Sequence, residues 1–525
     1  MINAKECILG IDIGTSATKS IIIDSEGKVL SSASMEYPLY TPHPDWSEQE
    51  PSDWWKATVR TVKEAIKKSN VDVGSIKGVG LSGQMHGLVA LDKNKNVIRP
   101  AFLWNDQRTL KQCQEIIGIA GGLDSLLKLT NNNMLPGYTG GKILWLKENE
   151  PENYGKAVIF LNPKDYIRFK MTGEFATEVS DASGTGLFNV KERKWSNILL
   201  EKLGIDIKLL PPVYESPEIS GYTTREFYIK TGLPEHTPVA GGGGDSVIQT
   251  TGSGLIKEGI LGLTIGTSGI TAMGLESFKF NASGNLQVFC NNSPSKWHIM
   301  GVTLAAGGSL QWYKNNLCKY EINAAREKNV DVYKILDDAV MSNSPAGSNN
   351  LVFAPYLIGE RCPYPDPNAK GVFIGATLRH THSDFTRSVM EGVSFSLKQV
   401  YEVITNMDKN LAVQEIRISG GGSNSPLWKQ ITADIFQLPV RTVSGSKEGG
   451  AFGAALVAGA GCGIWKNIEE AIEVINVETE TLPDSKNSRT YNELYDIYKL
   501  LYPTLKPIFD KLSTGTSTGT YNLAP

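Results

Sequence analysis

Gly10-Ile11-Asp12-Ile13-Gly14-Thr15-Ser16-Ala17-Thr18-Lys19-Ser20 is the stretch on which the reading of this chain turns. An apolar run from Ile8 to Ile13 leads into it, and a second run, Ile21 to Ile23, follows. Two β-type runs around a Gly-Thr-Ser turn predict a hairpin. The turn holds small residues, two hydroxyls and one cation, Lys19. Backbone N–H groups converging in such a turn cradle a phosphate, and the hydroxyls add donors. Asp12 sits on the last part of the strand. A carboxylate beside a phosphate-binding turn suggests Mg²⁺, which takes a few oxygen ligands plus water and phosphate.

The stretch recurs as Gly262-Leu263-Thr264-Ile265-Gly266-Thr267-Ser268-Gly269-Ile270-Thr271-Ala272. Gly, Ile, Gly, Thr and Ser match in register, and Thr264 stands where Asp12 stood. A repeat separated by about half the chain points to two related domains, each with one phosphate-binding hairpin. Only the first keeps the carboxylate.

A chain of 525 residues is too long for one simple core. Its net charge of -3 and lack of a long basic run give no electrostatic case for nucleic acid or an anionic membrane. No apolar run approaches the roughly 18 residues of a membrane span, and the first residues lack the apolar core of a signal peptide. Six scattered cysteines with no C-x-x-C suggest neither zinc nor a disulfide framework. A cytoplasmic protein with reduced thiols is expected.

Further strands are expected at Val29 to Tyr37, Ile76 to Leu81, Leu88 to Leu91, Ile299 to Leu304, Leu351 to Tyr356 and Ile416 to Ser419. Pro51-Ser52-Asp53 should open a helix with Ser52 as N-cap and an apolar stripe through Trp55, Val59, Val62 and Ile66. Residues 110 to 203 read as mainly helical. Helices are also expected around Phe385 to Val400, at Pro426 to Phe436 and from Gly449 onward. The domain expectation is 1–246 and 247–510, with a disordered Ser/Thr/Gly-rich tail at 511–525.

No G-x-x-x-x-G-K-[ST] is present, so phosphate chemistry must come from the hairpins and not from a P-loop. Asp245 follows four glycines at a strand end. It reads either as a general base facing a cleft or as a turn residue or helix N-cap. Gln84-Met85-His86 lies between glycines at another strand end, where it could bond a polar substrate or serve the fold. Trp104-Asn105-Asp106 could face a sugar or cap a loop. Gly420-Gly421-Gly422 could admit a nucleotide or simply form a tight connection.

Together these residues resemble the FGGY family of carbohydrate kinases. The resemblance is carried by Gly10 to Ser16, Ser82 to Gly87, Leu103 to Arg108, Pro163 to Tyr166, Ser180 to Thr185, Gly359 to Arg361, Ala369 to Phe373 and Met390 to Gly392. Gly137 to Trp145 looks like the family's first signature region. The match runs from about residue 7 to 505, and Gln84-Met85-His86 with Trp104-Asn105-Asp106 is its most xylulokinase-like part.

The resemblance implies an α/β chain of two actin-like, ribonuclease-H-like domains with ATP between them. The N-terminal domain would bind sugar and the C-terminal domain nucleotide. Implied roles are Asp245 as catalytic base, Asp12 as the carboxylate that helps place Mg²⁺, and Met85, His86, Gln84, Trp104, Asp106 and Ser246 on the sugar side. Thr15, Ser16 and Lys19 fall on the phosphate side of the first hairpin, and Gly266 and Thr267 on that of the second. Gly307, Gln311, Gly421 and Asn424 fall on nucleotide-side positions. ATP and Mg²⁺ are the implied cofactors. D-xylulose is the implied acceptor, with ribulose, fuculose or gluconate as alternatives. An actin-like ATPase acting by shape change is the alternative of another class, and a homodimer is a further expectation.

The chain departs from the family pattern at four places. Ser246 replaces a usual Asn after the catalytic Asp, and an extra glycine precedes that Asp. Cys362-Pro363-Tyr364 replaces Thr-Pro-His, and Ala376 replaces a larger aliphatic. The change at Ser246 bears on which sugar is taken more than on the reaction.

Overall fold

The structure, a computed structural model, describes residues 6–514. Contacts divide the chain into two compact units. The first takes the chain up to Glu258, then Gly274–Ile299 and Val443–Asn476. The second takes Gly259–Met273, Met300–Thr442 and the chain from Val477 onward. The expected border after residue 246 is therefore not where the first unit stops, and the second half of the chain returns two segments to that unit.

In the first unit the strands are β1 (Cys7–Ile13), β2 (Ala17–Asp24), β3 (Val29–Glu36), β4 (Ile76–Gly83), β5 (Ile219–Tyr222) and β6 (Pro238–Ala240). Their order across the sheet is β5-β6-β4-β1-β2-β3. β1 and β2 form the expected antiparallel hairpin, closed by the Gly14 N–H donating to the Ala17 carbonyl at 3.0 Å. β3 extends it antiparallel, and β4 and β6 add in parallel.

One face of this sheet is covered by helix Pro51–Ser69. Glu50 is its N-cap and Pro51 its first residue, so Ser52 lies inside the first turn and does not cap it. The buried stripe runs through Trp54, Thr58, Thr61 and Ala65, with Val62 beside it. Trp55, Val59 and Ile66 of the expected stripe sit at its half-buried edge. The stripe is displaced because Thr58 and Thr61 are buried with their hydroxyls satisfied, by the Trp54 carbonyl at 2.8 Å and by Ser20 at 2.7 Å.

The other face is covered by helix Gly450–Gly461, which comes from the returning segment. It lies unusually close. A Cβ on Gly10 would stand 2.0 Å from the Ala451 carbonyl oxygen, and one on Gly80 would stand 1.8 Å from that of Ala454. Glycine in β1 and β4 is therefore required by the helix's approach.

The second unit repeats the plan. Its strands are β7 (Ile260–Ile265), β8 (Gly269–Leu275), β9 (Trp297–Thr303), β10 (Glu415–Ser419), β11 (Val440–Val443) and β12 (Val477–Thr481). They run β9-β8-β7-β10-β11-β12. β7 and β8 are the second antiparallel hairpin, and β7–β10 and β10–β11 pair in parallel. A hairpin at the centre of a mixed sheet, followed by parallel strands, is the ribonuclease-H-like order, and it appears once in each unit.

The last helix, Ser485–Thr514, continues through residues 511–514, the first part of the expected tail. Residues 515–525 of that tail lie outside the described residues.

Candidate active site

Asp12 stands one residue from the end of β1, level with Ser82 on the neighbouring β4. The Ser82 hydroxyl donates to Asp12 Oδ1 at 2.6 Å. Burial pushes the Asp12 carboxyl up, while Ser82 and the Lys19 charge pull it back. The start of helix Gly450–Gly461 presses on the pair, since a Cβ on Gly450 would stand 2.3 Å from Ser82 Oγ and 2.8 Å from Asp12 Oδ1. A helix N-terminus at that distance favours the charged carboxylate.

In the turn beyond Asp12, Thr15 Oγ1 donates to Gln84 Oε1 at 3.2 Å and accepts from Trp104 Nε1 at 2.9 Å. Ser16 is exposed. Lys19 reaches the Lys447 carbonyl at 3.0 Å and the Glu448 carboxylate at 3.5 Å.

Asp245 opens helix Asp245–Gly252, directly after the glycine run that follows β6. It is half-buried. Burial, then the negative charge of Asp12, push its carboxyl up to about 7, against the N–H groups of Ser246 and Met85. Ser246 donates its hydroxyl to Met85 Sδ at 2.9 Å. Met85 is buried beneath Gly244, whose missing Cβ would stand 2.6 Å from Met85 Cγ.

His86 adopts φ +67, a left-handed conformation that few non-glycine residues take. Contacts to four residues hold it there. Its ring stacks on Tyr138 with centroids 4.6 Å apart. Its Nδ1 lies 2.6 Å from the Gly184 carbonyl, which fixes that nitrogen as the N–H donor and Nε2 as the acceptor in the neutral ring. Its carbonyl accepts from Lys142 Nζ at 2.7 Å and from Thr139 Oγ1 at 3.1 Å. Lys142 is fully buried and also donates to the Gly137 carbonyl at 2.6 Å. Desolvation lowers its ammonium to about 7, partly offset by Asp106.

The first unit thus brings Asp12, Met85, His86, Asp245 and Ser246 to the ends of neighbouring strands. Two other expected sugar contacts turn inward. Gln84 is fully buried, its amide donating to Gln49 Oε1 at 3.0 Å. Asp106 is fully buried, accepting from the Ser47 N–H at 2.8 Å and pairing with Arg108 at 2.6 Å. Both support the turn and its neighbouring loop and offer no open face. Trp104 remains exposed (47%).

The second unit contains a cavity of about 750 Å³. Gly266, Thr267, Gly307, Gln311, Gly421 and Asn424 all line it. The second hairpin's turn is tied to the start of helix Gly307–Leu317 by the Gly307 N–H to the Gly266 carbonyl (2.7 Å) and the Gly308 N–H to the Thr267 carbonyl (3.1 Å). Glycine is needed here too, because a Cβ on Gly307 would stand 2.6 Å from the Gly266 oxygen. Leu310, Tyr333, Met341 and Trp428 supply apolar lining. Backbone-rich walls at one helix N-terminus and apolar side chains elsewhere suit a phosphorylated ligand with a flat apolar body.

Sequence reasoning quoted Ser82, Tyr138 and Lys142 only inside longer motifs and gave them no role of their own. Lys142 carried a signal, being the one cation in the otherwise apolar or small stretch Gly137 to Trp145. Cys318, Glu321 and His382 gather within 4.8 Å in the second unit. The His382 ring lies between the other two, Nε2 3.5 Å from Cys318 Sγ and Nδ1 3.3 Å from Glu321, which closes the group on itself.

The family models for FGGY carbohydrate kinases match this chain twice, the N-terminal domain over residues 7–252 and the C-terminal domain over residues 261–462. The chain is 38% identical to the xylulose kinase of Bacillus subtilis over 502 residues, covering 95% of this chain and 97% of that one. It is 37% identical to the xylulose kinase of Staphylococcus xylosus, with 94% and 99% covered. Its fold matches the solved structure of a ligand-bound xylulose kinase from Lactobacillus acidophilus with a TM-score of 0.87, at 28% identity, over 97% of this chain and 100% of that one. The paired ribonuclease-H-like sheets and these matches agree, and the chain belongs to the FGGY family of carbohydrate kinases.

Proposed function

We propose that the chain transfers the γ-phosphoryl group of ATP to the terminal 5-hydroxyl of D-xylulose, giving D-xylulose 5-phosphate and ADP. One observation carries the reading. Asp245 is a half-buried carboxylate at a strand end, bonded by the N–H groups of Met85 and Ser246 and pushed up to about 7 by burial and Asp12. A base with a pKa near the working pH is what proton removal from a sugar hydroxyl needs. The hydroxyl oxygen forms its bond to the γ-phosphorus as the bond to the β,γ-bridging oxygen breaks, and the hydroxyl proton goes to Asp245. Little covalent work is left for the protein, so rate comes from positioning and charge.

His86, next to Met85 in the chain, lies on the sugar side, and Met85 with Ser246 shapes the adjoining wall. The cavity of the second unit takes the nucleotide, with Gly266, Thr267 and Gly307 on its phosphates. Mg²⁺ fits Asp12, a hard oxygen donor with one oxygen committed to Ser82. When bound there, the ion neutralises charge on the phosphates.

A second acceptor class, ribulose, fuculose or gluconate, is favoured by one residue. Ser246 stands where the family often has Asn, and its hydroxyl is turned to Met85 Sδ. A sugar panel with coupled ADP detection decides. D-xylulose should give the highest kcat/KM, and a tenfold preference for another sugar would reassign the acceptor while leaving Asp245 as base.

A further inference from the structure

The loop that presents Asp245 is gripped from behind by side chains that no solvent reaches. Its four glycines leave no room for a side chain. A Cβ would stand 2.6 Å from the Glu215 carbonyl at Gly241, 2.1 Å from the Leu81 carbonyl at Gly242, 2.5 Å from Asn292 Nδ2 at Gly243 and 2.6 Å from Met85 Cγ at Gly244. The loop is moulded onto its surroundings at every residue.

Three polar groups then take its backbone. Arg168 donates to the Gly241 carbonyl. Asn292 Nδ2 donates to Ser216 Oγ at 2.9 Å and also reaches Ser180 Oγ at 3.3 Å and the Gly242 carbonyl at 3.4 Å, while Asn292 Oδ1 accepts from Thr251 at 2.8 Å, in the helix that Asp245 opens. Asn292 thus holds the chain on both sides of Asp245. The Gly244 N–H, immediately before Asp245, donates to Ser180 Oγ at 3.0 Å. Ser180 donates in turn to Glu178 Oε1 at 2.9 Å.

Behind these lies an ion cluster. Lys164 Nζ is 2.7 Å from Asp165, 3.0 Å from Asp181 and 3.4 Å from Glu178, and Arg168 is 2.8 Å from Asp165. All five are fully buried. Burial pushes the Asp181 carboxyl up, which moves the cluster of two cations and three acids toward neutrality. Buried ion groups of this kind add little net stability compared with a packed apolar core, because desolvation consumes the attraction. This one stands directly behind the backbone leading into Asp245, through Arg168 at the Gly241 carbonyl and Glu178 at Ser180.

We propose that Ser180 and Asn292, anchored by the Lys164–Glu178–Arg168 cluster, are positioning residues that set where the Asp245 carboxylate stands. This rests on Asp245 being the base.

Ser180→Ala removes the acceptor of the Gly244 N–H without adding bulk. Its kcat should fall on the order of 10–100-fold, the scale of a catalytic group misplaced by about an ångström, with KM for ATP unchanged. The acid limb of its kcat–pH profile should shift as well. Asn292→Ala, which removes the contacts to Ser216, Ser180, the Gly242 carbonyl and Thr251, should do the same, and it serves if Ser180→Ala does not fold. Wild-type kcat and pH profile in a folded Ser180→Ala or Asn292→Ala enzyme would overturn the proposal. So would a loss explained entirely by the unfolded fraction in thermal melts. Asp245→Asn separates the two readings. If it turns over normally the base assignment fails, and if it is inactive while Ser180→Ala is normal only the positioning role fails.

Discussion

The Ser82 hydroxyl holds Asp12 at 2.6 Å, and the charge so held helps keep the Asp245 carboxyl near 7. The two acids are electrostatically linked, and the link can be read kinetically. Asp245→Asn should lose roughly 10²–10⁴ in kcat, the usual worth of a general base. Asp12→Asn should raise the Mg²⁺ requirement and also remove the charge that opposes ionisation of Asp245. The acid limb of kcat/KM against pH should therefore move to lower pH in Asp12→Asn although the rate is lower. A limb that stays in place would break the link between the two carboxylates.

The same shift predicts a stability effect with a definite sign. The Asp245 carboxyl titrates near 3.9 when unfolded and is raised to about 7 in the fold. Between those values the folded state binds more protons, so this group's contribution to stability is present at low pH and lost as pH rises through about 7. Asn at 245 has nothing to titrate. The Tm of Asp245→Asn relative to the parent should therefore increase from pH 5 to pH 8. A constant Tm difference across that range would show that the carboxyl is not raised.

Lys142 offers a test of the sugar side that leaves every proposed substrate contact in place. Its amine supports the His86 and Gly137 carbonyls from a fully buried position. Lys142→Met keeps the length and removes both bonds, leaving the Gly137 carbonyl without this donor and the His86 carbonyl with Thr139, at a cost of about 1–3 kcal/mol. His86, held at φ +67, should relax toward ordinary backbone and misplace its ring. The expected result is a sugar KM raised roughly tenfold, about 1.4 kcal/mol, with KM for ATP unchanged. Equal changes in both KM values would assign Lys142 to general stability instead.

Much of this architecture is local and was therefore legible. Each hairpin is encoded by two β-rich runs around a Gly-Thr-Ser turn, so both appeared in the expected register. The strand-end place of Asp245 was marked by the glycines ahead of it, and Gly266, Thr267, Gly307, Gln311, Gly421 and Asn424, which no single sequence stretch joins, share one cavity. What escaped was set by distant partners. Nothing near Gly10 announces that Ala451 will lie against it, so the return of helix Gly450–Gly461 to the first unit could not be read. Gln84 and Asp106 looked like ligand contacts because a sequence shows polarity but not who satisfies it. Gln49 and Ser47 do so, from 35 and 59 residues away. The buried threonines of helix Pro51–Ser69 misplaced its stripe for the same reason.

Two kinds of glycine in this chain should respond oppositely to the same methyl group. Gly10 faces the backbone of helix Gly450–Gly461, where a Cβ would meet the Ala451 carbonyl oxygen at 2.0 Å. Backbone on both sides cannot yield cheaply, so Gly10→Ala should cost at least the 1–3 kcal/mol of ordinary overpacking and lower Tm by about 2–5 °C or more. Gly421 lines the cavity of the second unit, and a Cβ there meets nothing within 4 Å. Gly421→Ala should therefore keep the parent Tm. Its methyl occupies space that the nucleotide needs, so KM for ATP should rise about tenfold, or about 1.4 kcal/mol, with KM for the sugar unchanged. A stable Gly421→Ala enzyme with the parent KM for ATP would mean that the nucleotide does not use this wall. The cavity would then lose its assignment while the fold, tested by Gly10→Ala, kept its own.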